Sequence, residues 1–199
     1  MRYQNIAIER EYASGGSEIG EKLAAKLGIP CYGQEILERA AEKLDMRPQQ
    51  LIEIEEKTTS SLLFGLAAYA NVSSSNEADM LRIEQKLALV EADVIQNLSV
   101  NSCVLVGRRA AALLRSKNST LRVFIHADLG ARMERAVSVY GADRKQAEAI
   151  LHRHDKRRAN YFKAATEKAW KDPDIYHMFL NSGILGIDQT VSLLYSAVH

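Results

Sequence analysis

Cysteine is scarce in this sequence, with Cys31 and Cys103 the two examples among 199 residues. Two thiols do not make a disulfide framework, and no Cys-x-x-Cys or Cys/His spacing suggests a zinc site. Each cysteine stands in an apolar, strand-like stretch. We therefore expect both thiols to be buried and reduced.

An excess of charge is also absent, since 26 Lys and Arg against 25 Asp and Glu leave a net charge of +1. No overall field favours nucleic acid or an anionic membrane surface as a partner. The opening MRYQNIAIEREY lacks the apolar core of a signal peptide. The longest mostly apolar run, SSLLFGLAAYANVSSSN, is too short and too polar at its ends to span a bilayer. We expect a cytoplasmic protein without a membrane partner.

What is present is an alternation of short apolar segments with amphipathic ones. Strands are predicted at residues 3–8, 29–32, 103–106, 121–125 and 177–180. Helices are predicted at residues 16–26, 34–44, 128–139, about 143–168 and from 188 to the end. The last three strands are continuously apolar, which is typical of strands buried on both faces. The pattern predicts an α/β fold with about five parallel strands flanked by helices.

The segment at 46–100 interrupts this rhythm and predicts a helical insertion within a single domain over residues 1–199. Arg47-Pro48-Gln49 is typical of a helix start, and the Ser-rich NVSSSNEAD of a mobile turn. One helix face is formed by Ile83, Leu87, Val90, Val94 and Leu98. The apolar run SSLLFGLAAYA at 60–70 fits either a core helix or a homodimer contact, and we favour the contact.

The first strand runs into Ser14-Gly15-Gly16-Ser17, which opens a helix. Small residues let backbone amides converge on a phosphate, and a helix N-terminus adds its dipole. The P-loop template G-x-x-x-x-G-K-[ST] pairs Arg10 with the first glycine and Gly16 with the lysine. Ser17 takes the place from which a hydroxyl binds Mg²⁺. A serine-capped helix start explains the same residues without a ligand.

Two arginine-containing stretches complete the candidate site. In RHDKRRANYF, Arg153 and Arg157 are four residues apart and Asp155 and Arg158 three, so each pair shares a helix face. Arginine favours bidentate recognition of phosphate, with a solvated basic face as the alternative. Arg108 follows a buried strand, at the sheet edge where α/β folds bind ligands. A capping turn with a solvent-exposed arginine pair is the alternative there.

Together these residues resemble the bacterial cytidylate-kinase-like family of P-loop nucleoside monophosphate kinases. The family opening I-x-I-x-R-E-Y-x-S-G-G-x-E-I-G is matched from Ile6 to Gly20. The similarity continues through LAAKLGIPCYGQEI, CVLVGRRA, LRVFIHADLGARMERAV, DKRRANYF and YHMFLNSGILGIDQTV, and is weakest at 58–78. It implies a three-layer P-loop kinase fold, with the acceptor in the helical insertion and a lid at about 143–170.

The resemblance also implies roles for single residues. Donor phosphates would be bound by Ser14, Gly15, Gly16 and Ser17, with Ser17 on Mg²⁺ and with Arg153 and Arg157 from the lid. The acceptor would be contacted by Arg108, Arg132, Asp155 and Arg158. Arg109 stands where cytidylate kinases have an aspartate. Because Gly16 replaces the P-loop lysine, we expect Arg10 and the lid arginines to supply the missing charge.

The function expected from this resemblance is an ATP- and Mg²⁺-dependent small-molecule kinase. It would transfer the γ-phosphoryl group to a nucleoside monophosphate, cytidylate-like, or to a similar phosphorylated metabolite. A non-catalytic module that binds a nucleotide or anion on the same scaffold is the alternative. In the insertion, five polar side chains would either read a base or serve as surface charge: Glu53, Glu55, Glu56, Arg82 and Gln85.

Overall fold

The fold is seen in a computed structural model. It describes residues 2–51 and 75–199, with side chains for 2–51 and 85–199. The apolar run at 60–70, the three glutamates of the insertion and the side chain of Arg82 lie outside the described residues. Gln85 is exposed on a helix.

A five-stranded parallel sheet forms the centre of the molecule. Its strands are β1 (Asn5–Arg10), β2 (Cys31–Tyr32), β3 (Cys103–Val106), β4 (Thr120–His126) and β5 (Met178–Asn181). Across the sheet they follow the order β2-β3-β1-β4-β5. In the central strand, Ile8 pairs with Val106 on one side and Val123 on the other. The predicted α/β fold with parallel strands is confirmed.

Helices cover both faces of this sheet. They are α1 (Gly16–Leu27), α2 (Gln34–Leu44), α3 (Ser75–Leu98), α4 (Ala110–Leu113), α5 (Leu129–Ser138), α6 (Ala147–Thr166), α7 (Ser182–Leu185) and α8 (Ile187–Val198). Because side chains alternate along a strand, Ile6 and Ile8 pack towards α1 and α8. Ala7 lies on the opposite face, with residues of α3 and α6.

The structure corrects two of the predicted strands. β1 starts later and runs two residues further than predicted, since its ladder with β4 continues to the pair of Arg10 and Ile125. Arg10 therefore ends a strand rather than starting a loop. β5 is not buried on both faces, since none of its residues is fully buried and Phe179 is 41% exposed; within residues 2–51 and 75–199 its partner strand is β4, at the sheet edge.

The helical predictions need smaller corrections. α6 begins at Ala147 rather than 143, because Asp143 forms a turn in which its carboxylate accepts the Lys145 amide proton at 2.7 Å. The predicted turn NVSSSNEAD is helical from Ser75 onwards. The apolar face of α3 is confirmed for its described members, with Leu87 and Val94 buried. Residues 48–51 are helical, as the proline predicted.

The thiols are free, with Cys103 buried and Cys31 half-buried rather than fully buried as expected. Burial raises the pKa of each to about 11, so both stay protonated at neutral pH. In the part of the chain that the structure describes, no helix has the length and apolarity needed to cross a bilayer.

Candidate functional site

The turn between β1 and α1 leaves backbone donors at the start of a helix. Gly15 caps α1 with a φ of 77°, a left-handed conformation that glycine adopts at little cost. No side chain caps this end, and among the described residues the amides of Gly15, Gly16 and Ser17 have no hydrogen-bond acceptor. Ser14 holds the turn, since its hydroxyl donates to the Glu11 carbonyl at 2.9 Å. Such free amides at the positive end of a helix dipole suit an anion.

Arg10 occupies the space that a side chain at Gly16 would need. A Cβ at Gly16 would lie 2.5 Å from Arg10 Cβ and 2.9 Å from Arg10 Cγ, so a lysine there would clash. From this position Arg10 Nε donates to Ser17 Oγ at 3.4 Å. Its guanidinium group crosses Gly107, where a Cβ would come within 1.9 Å of Arg10 Nη1. The arginine and the two glycines are thus sterically matched.

Arg10 also lines a cleft of about 500 Å³ at the carboxyl edge of the sheet. Four further arginines line it: Arg108, Arg109, Arg157 and Arg158. Burial, followed by repulsion from Arg158, lowers the pKa of Arg10 to about 9. Burial also lowers the pKa of Arg158. Because the guanidinium groups destabilise one another, an anion with several negative charges would be well accommodated.

A buried carboxylate, that of Glu9, lies among these arginines. Glu9 is 4% exposed and lines the cleft, and its Oε2 accepts a hydrogen bond from Trp170 Nε1 at 3.4 Å. Burial raises its pKa, against the opposing charges of Arg10, Arg158 and Arg109. The burial of Glu9 was not predicted, because the predicted strand ended at residue 8, whereas β1 includes Glu9.

A second buried carboxylate, Glu91 on α3, fixes the arginines that follow β3. It accepts a hydrogen bond from Arg109 Nη2 at 2.6 Å and contacts Arg108 Nη1 at 3.4 Å. Tyr161 on α6 donates its hydroxyl proton to the same carboxylate. The alternative of a solvent-exposed arginine pair is therefore wrong, since Arg109 is 3% exposed. Glu91 was also missed, although it lies on the apolar face of α3.

Asp155 and Arg132 attach α6 to the turn after β1. Asp155 Oδ1 accepts the Tyr12 amide proton at 2.8 Å, and its Oδ2 lies 2.5 Å from Arg132 Nη1. Arg132 is 7% exposed and also contacts Glu11 at 3.4 Å. Arg158 Nη1 donates to the Arg10 carbonyl oxygen at 2.8 Å. In this conformation Arg132 and Asp155 form a structural link, and Arg158 reaches the cleft.

Some of the remaining predicted site residues line the cleft and others do not. Arg157 lines the cleft with Arg10, Arg108 and Arg158, whereas Arg153 is exposed and is not among the described residues that line it. Ser14, Gly15 and Gly16 are buried beside the cleft rather than in its lining. Arg10 connects the turn before α1 with the cleft, because it contacts Ser17 and lines the cleft.

The hydrogen-bond donors around the turn before α1 are of the kinds that bind a nucleotide with its magnesium ion. The amides of the first turn of α1 and the Arg10 guanidinium group suit phosphate oxygens. Among the described residues no three His, Cys, Asp or Glu side chains are grouped so that they could hold a metal. Mg²⁺ would therefore depend on Ser17 Oγ together with phosphate oxygens and water, which is a usual arrangement for this ion.

Comparisons with known proteins bear on the family and the fold. The sequence profile of the cytidylate kinase-like family matches residues 5–184. A comparison with curated proteins finds no match. An uncharacterized protein from Eubacterium ventriosum has a similar crystal structure, with a TM-score of 0.71 and 23% identity over 98% of this chain and 97% of that one.

Two further solved structures share the fold. Shikimate kinase from Bacteroides thetaiotaomicron aligns with a TM-score of 0.53 and 13% identity, over 98% of this chain and 97% of that one. TT1252 from Thermus thermophilus aligns with a TM-score of 0.51 and 16% identity, over 98% of this chain and 96% of that one. These similarities support a P-loop kinase fold.

Proposed function

We propose, since this chain belongs to the cytidylate kinase-like family, that it is an ATP- and Mg²⁺-dependent small-molecule kinase. It transfers the γ-phosphoryl group of ATP to a nucleoside monophosphate or to a similar phosphorylated metabolite. The observation that carries this proposal is the position of Arg10, which fills the space of the missing lysine side chain and contacts Ser17. A positive charge is thereby kept beside the free amides of α1.

Phosphoryl transfer depends on in-line positioning and on cations around the transferred group, with little covalent chemistry for the protein. In this chain the amides of Gly15, Gly16 and Ser17 bind the donor phosphates, and Arg10 neutralises charge that develops on them. Ser17 would hold a magnesium ion through its hydroxyl, and the ion would supply positive charge beside the donor phosphates. Arg157 and Arg158 bring lid charges to the same cleft.

The acceptor side of the cleft supports a phosphorylated substrate. Arg108 is held at the cleft by Glu91 and lies at the end of a central strand. An arginine fixed in this way binds a phosphate with little loss of conformational entropy. Five arginines around about 500 Å³ favour a substrate with several negative charges.

Replacing Arg10 by alanine tests the charge that the proposal assigns to it. We expect ATP binding, measured by calorimetry, to weaken by at least about 1.5 kcal/mol, the value of a charge-assisted hydrogen bond. Arg144→Ala is the matched control, because Arg144 pairs with Glu134 on the exposed surface. The double variant Arg10→Gly/Gly16→Lys exchanges arginine for the usual lysine and should recover binding. Equal affinities of wild type and Arg10→Ala would contradict the role of Arg10.

The kinase itself is tested by following ADP release with a panel of phosphorylated acceptors in the presence of ATP and Mg²⁺. Turnover with one acceptor class is the expected result. Measurable ATP binding without turnover on any acceptor would instead favour the non-catalytic binding module.

A further inference from the structure

Glu9 has an oxygen that the protein leaves without a hydrogen bond. Its Oε2 contacts Trp170 Nε1 at 3.4 Å, whereas Oε1 is buried and has no partner among the described residues. Glu9 is also the one acidic side chain among the described residues that line the cleft. A buried carboxylate oxygen without a donor is costly. Oε1 is therefore suited to a hydrogen-bond donor on a molecule bound in the cleft.

The surroundings of Glu9 favour a proton acceptor. The charged groups that face it are Arg10 on β1, Arg109 after β3 and Arg158 on α6. Tyr176, before β5, is a further titratable group near it, and burial and then the charge of Glu9 raise its pKa. Burial outweighs the arginines and raises the pKa of Glu9. Such a shift brings a carboxylate closer to the pH range in which a general base works best.

Two kinds of phosphoryl acceptor differ in their need for such a group. The phosphate of a nucleoside monophosphate has a deprotonated oxygen at neutral pH, so it needs no base and is repelled by a carboxylate. A hydroxyl group keeps its proton until the new bond forms, and it must give that proton to an acceptor. A buried carboxylate in the cleft therefore favours a hydroxyl as the nucleophile.

We propose that the acceptor is a phosphorylated alcohol, of the sugar phosphate or polyol phosphate class, whose hydroxyl donates to Glu9 Oε1. Its own phosphate lies among the cleft arginines. As the hydroxyl oxygen bonds to the γ-phosphorus of ATP, its proton passes to Glu9. The bond from that phosphorus to the bridging oxygen breaks, and ADP leaves with the electron pair. This inference rests on the proposed kinase function and narrows it to one acceptor class.

The bond formed in the product separates the two acceptor classes. The wild-type protein is incubated with ATP, Mg²⁺ and either sugar and polyol phosphates or nucleoside monophosphates, and the products are examined by ³¹P NMR. A new phosphate monoester is the expected product. A phosphoanhydride would overturn the inference and leave the kinase proposal intact. ATP binding without any product would overturn the hydroxyl transfer, and absence of ATP binding would overturn the kinase proposal as well.

The variant Glu9→Gln tests the residue directly. We expect kcat to fall at least about 100-fold, with ATP binding by calorimetry not weakened and the rising limb of kcat/KM with pH lost. Glu9→Asp, which keeps the carboxylate, should restore part of the rate, and Glu42→Gln on the exposed face of α2 serves as control. A Glu9→Gln protein with wild-type kcat would refute the role of Glu9. If this variant does not fold, the wild-type product tests the inference by itself, because a phosphate monoester supports it and a phosphoanhydride contradicts it.

Discussion

At the scale of single residues, the site depends on pairs of positions that fit one another. Arg10 fits beside glycines at positions 16 and 107: a Cβ at 16 would lie 2.5 Å from Arg10 Cβ, and one at 107, where φ is 76°, would lie 1.9 Å from Arg10 Nη1 in its present conformation. A lysine at position 16 and an arginine at position 10 therefore exclude each other sterically. In the proposed donor site, the positive charge would lie at the end of β1 instead of at the start of α1, the helix that follows it.

Glu9 illustrates a residue whose proposed role costs stability. Burial raises its pKa in the folded protein, so the unfolded chain loses this proton first as the pH rises. The contribution of Glu9 to the free energy of unfolding is therefore fully present below its unfolded pKa, and it is lost as the pH rises through the folded pKa. A side chain at position 9 that does not ionise would not lose stability in this way as the pH rises.

We therefore expect Glu9→Gln to be more stable than the wild type under neutral conditions. The gain in free energy of unfolding should be close to zero at about pH 4 and about 1 kcal/mol or more at about pH 8. Urea unfolding at both pH values measures it, and the Glu42→Gln variant should show no such difference. A wild-type protein that is the more stable one at high pH would contradict the unfavourable burial of Glu9.

At the scale of secondary-structure elements, Glu91 connects three of them. Its carboxylate joins α3 to the turn after β3 through Arg109 and to α6 through Tyr161. The carboxylate is fully buried and Arg109 is 3% exposed, so neither charge is compensated by water. Breaking one member of such a pair is expensive because the other charge stays buried.

Replacing Glu91 by glutamine should therefore destabilise the protein by about 3–5 kcal/mol. Asp93→Asn is the matched control on the same helix, because its pair with Lys43 is exposed and solvent-screened. Chemical unfolding compares the two variants. Equal stabilities would show that the Glu91 contacts do not hold α3 against α6.

At the scale of the whole molecule, nucleotide binding should be coupled to stability. The proposed donor site combines the turn after β1 with α6, which Asp155 attaches to Tyr12 and Arg132. A ligand that binds only the folded state stabilises it in proportion to the logarithm of its concentration.

ATP with Mg²⁺ at about 100 times its dissociation constant should raise the free energy of unfolding by about 2.7 kcal/mol. The measurement is a thermal melt with and without the nucleotide, followed by removal of Mg²⁺ with a chelator, which should reduce the shift. Arg10→Ala should show a smaller shift at the same ATP concentration. An ATP concentration series without effect on the wild type would argue against a nucleotide site.

How far the sequence predicts the fold depends on the kind of signal. Apolar periodicity predicted the five strands and the longer helices, because burial of one face is recorded locally in the spacing of residues; the short helices α4 and α7 were not predicted. Its errors lie at element ends and at β5, whose side chains are less buried than its apolar sequence predicts. The packing of other elements on the faces of the sheet decides that burial, and the local sequence does not record it.

For the site, the sequence by itself determined the residue types: glycines where a turn must be tight, arginines at strand ends and on α6, and a serine at a helix start. Only the tertiary structure decided which of them meet. Arg108, Arg157 and Arg158 share one cleft with Arg10, Arg153 stays in solvent, and Glu9 and Glu91 are buried among cations. The physical reason is that burial and charge pairing depend on contacts between distant segments, which no local pattern records.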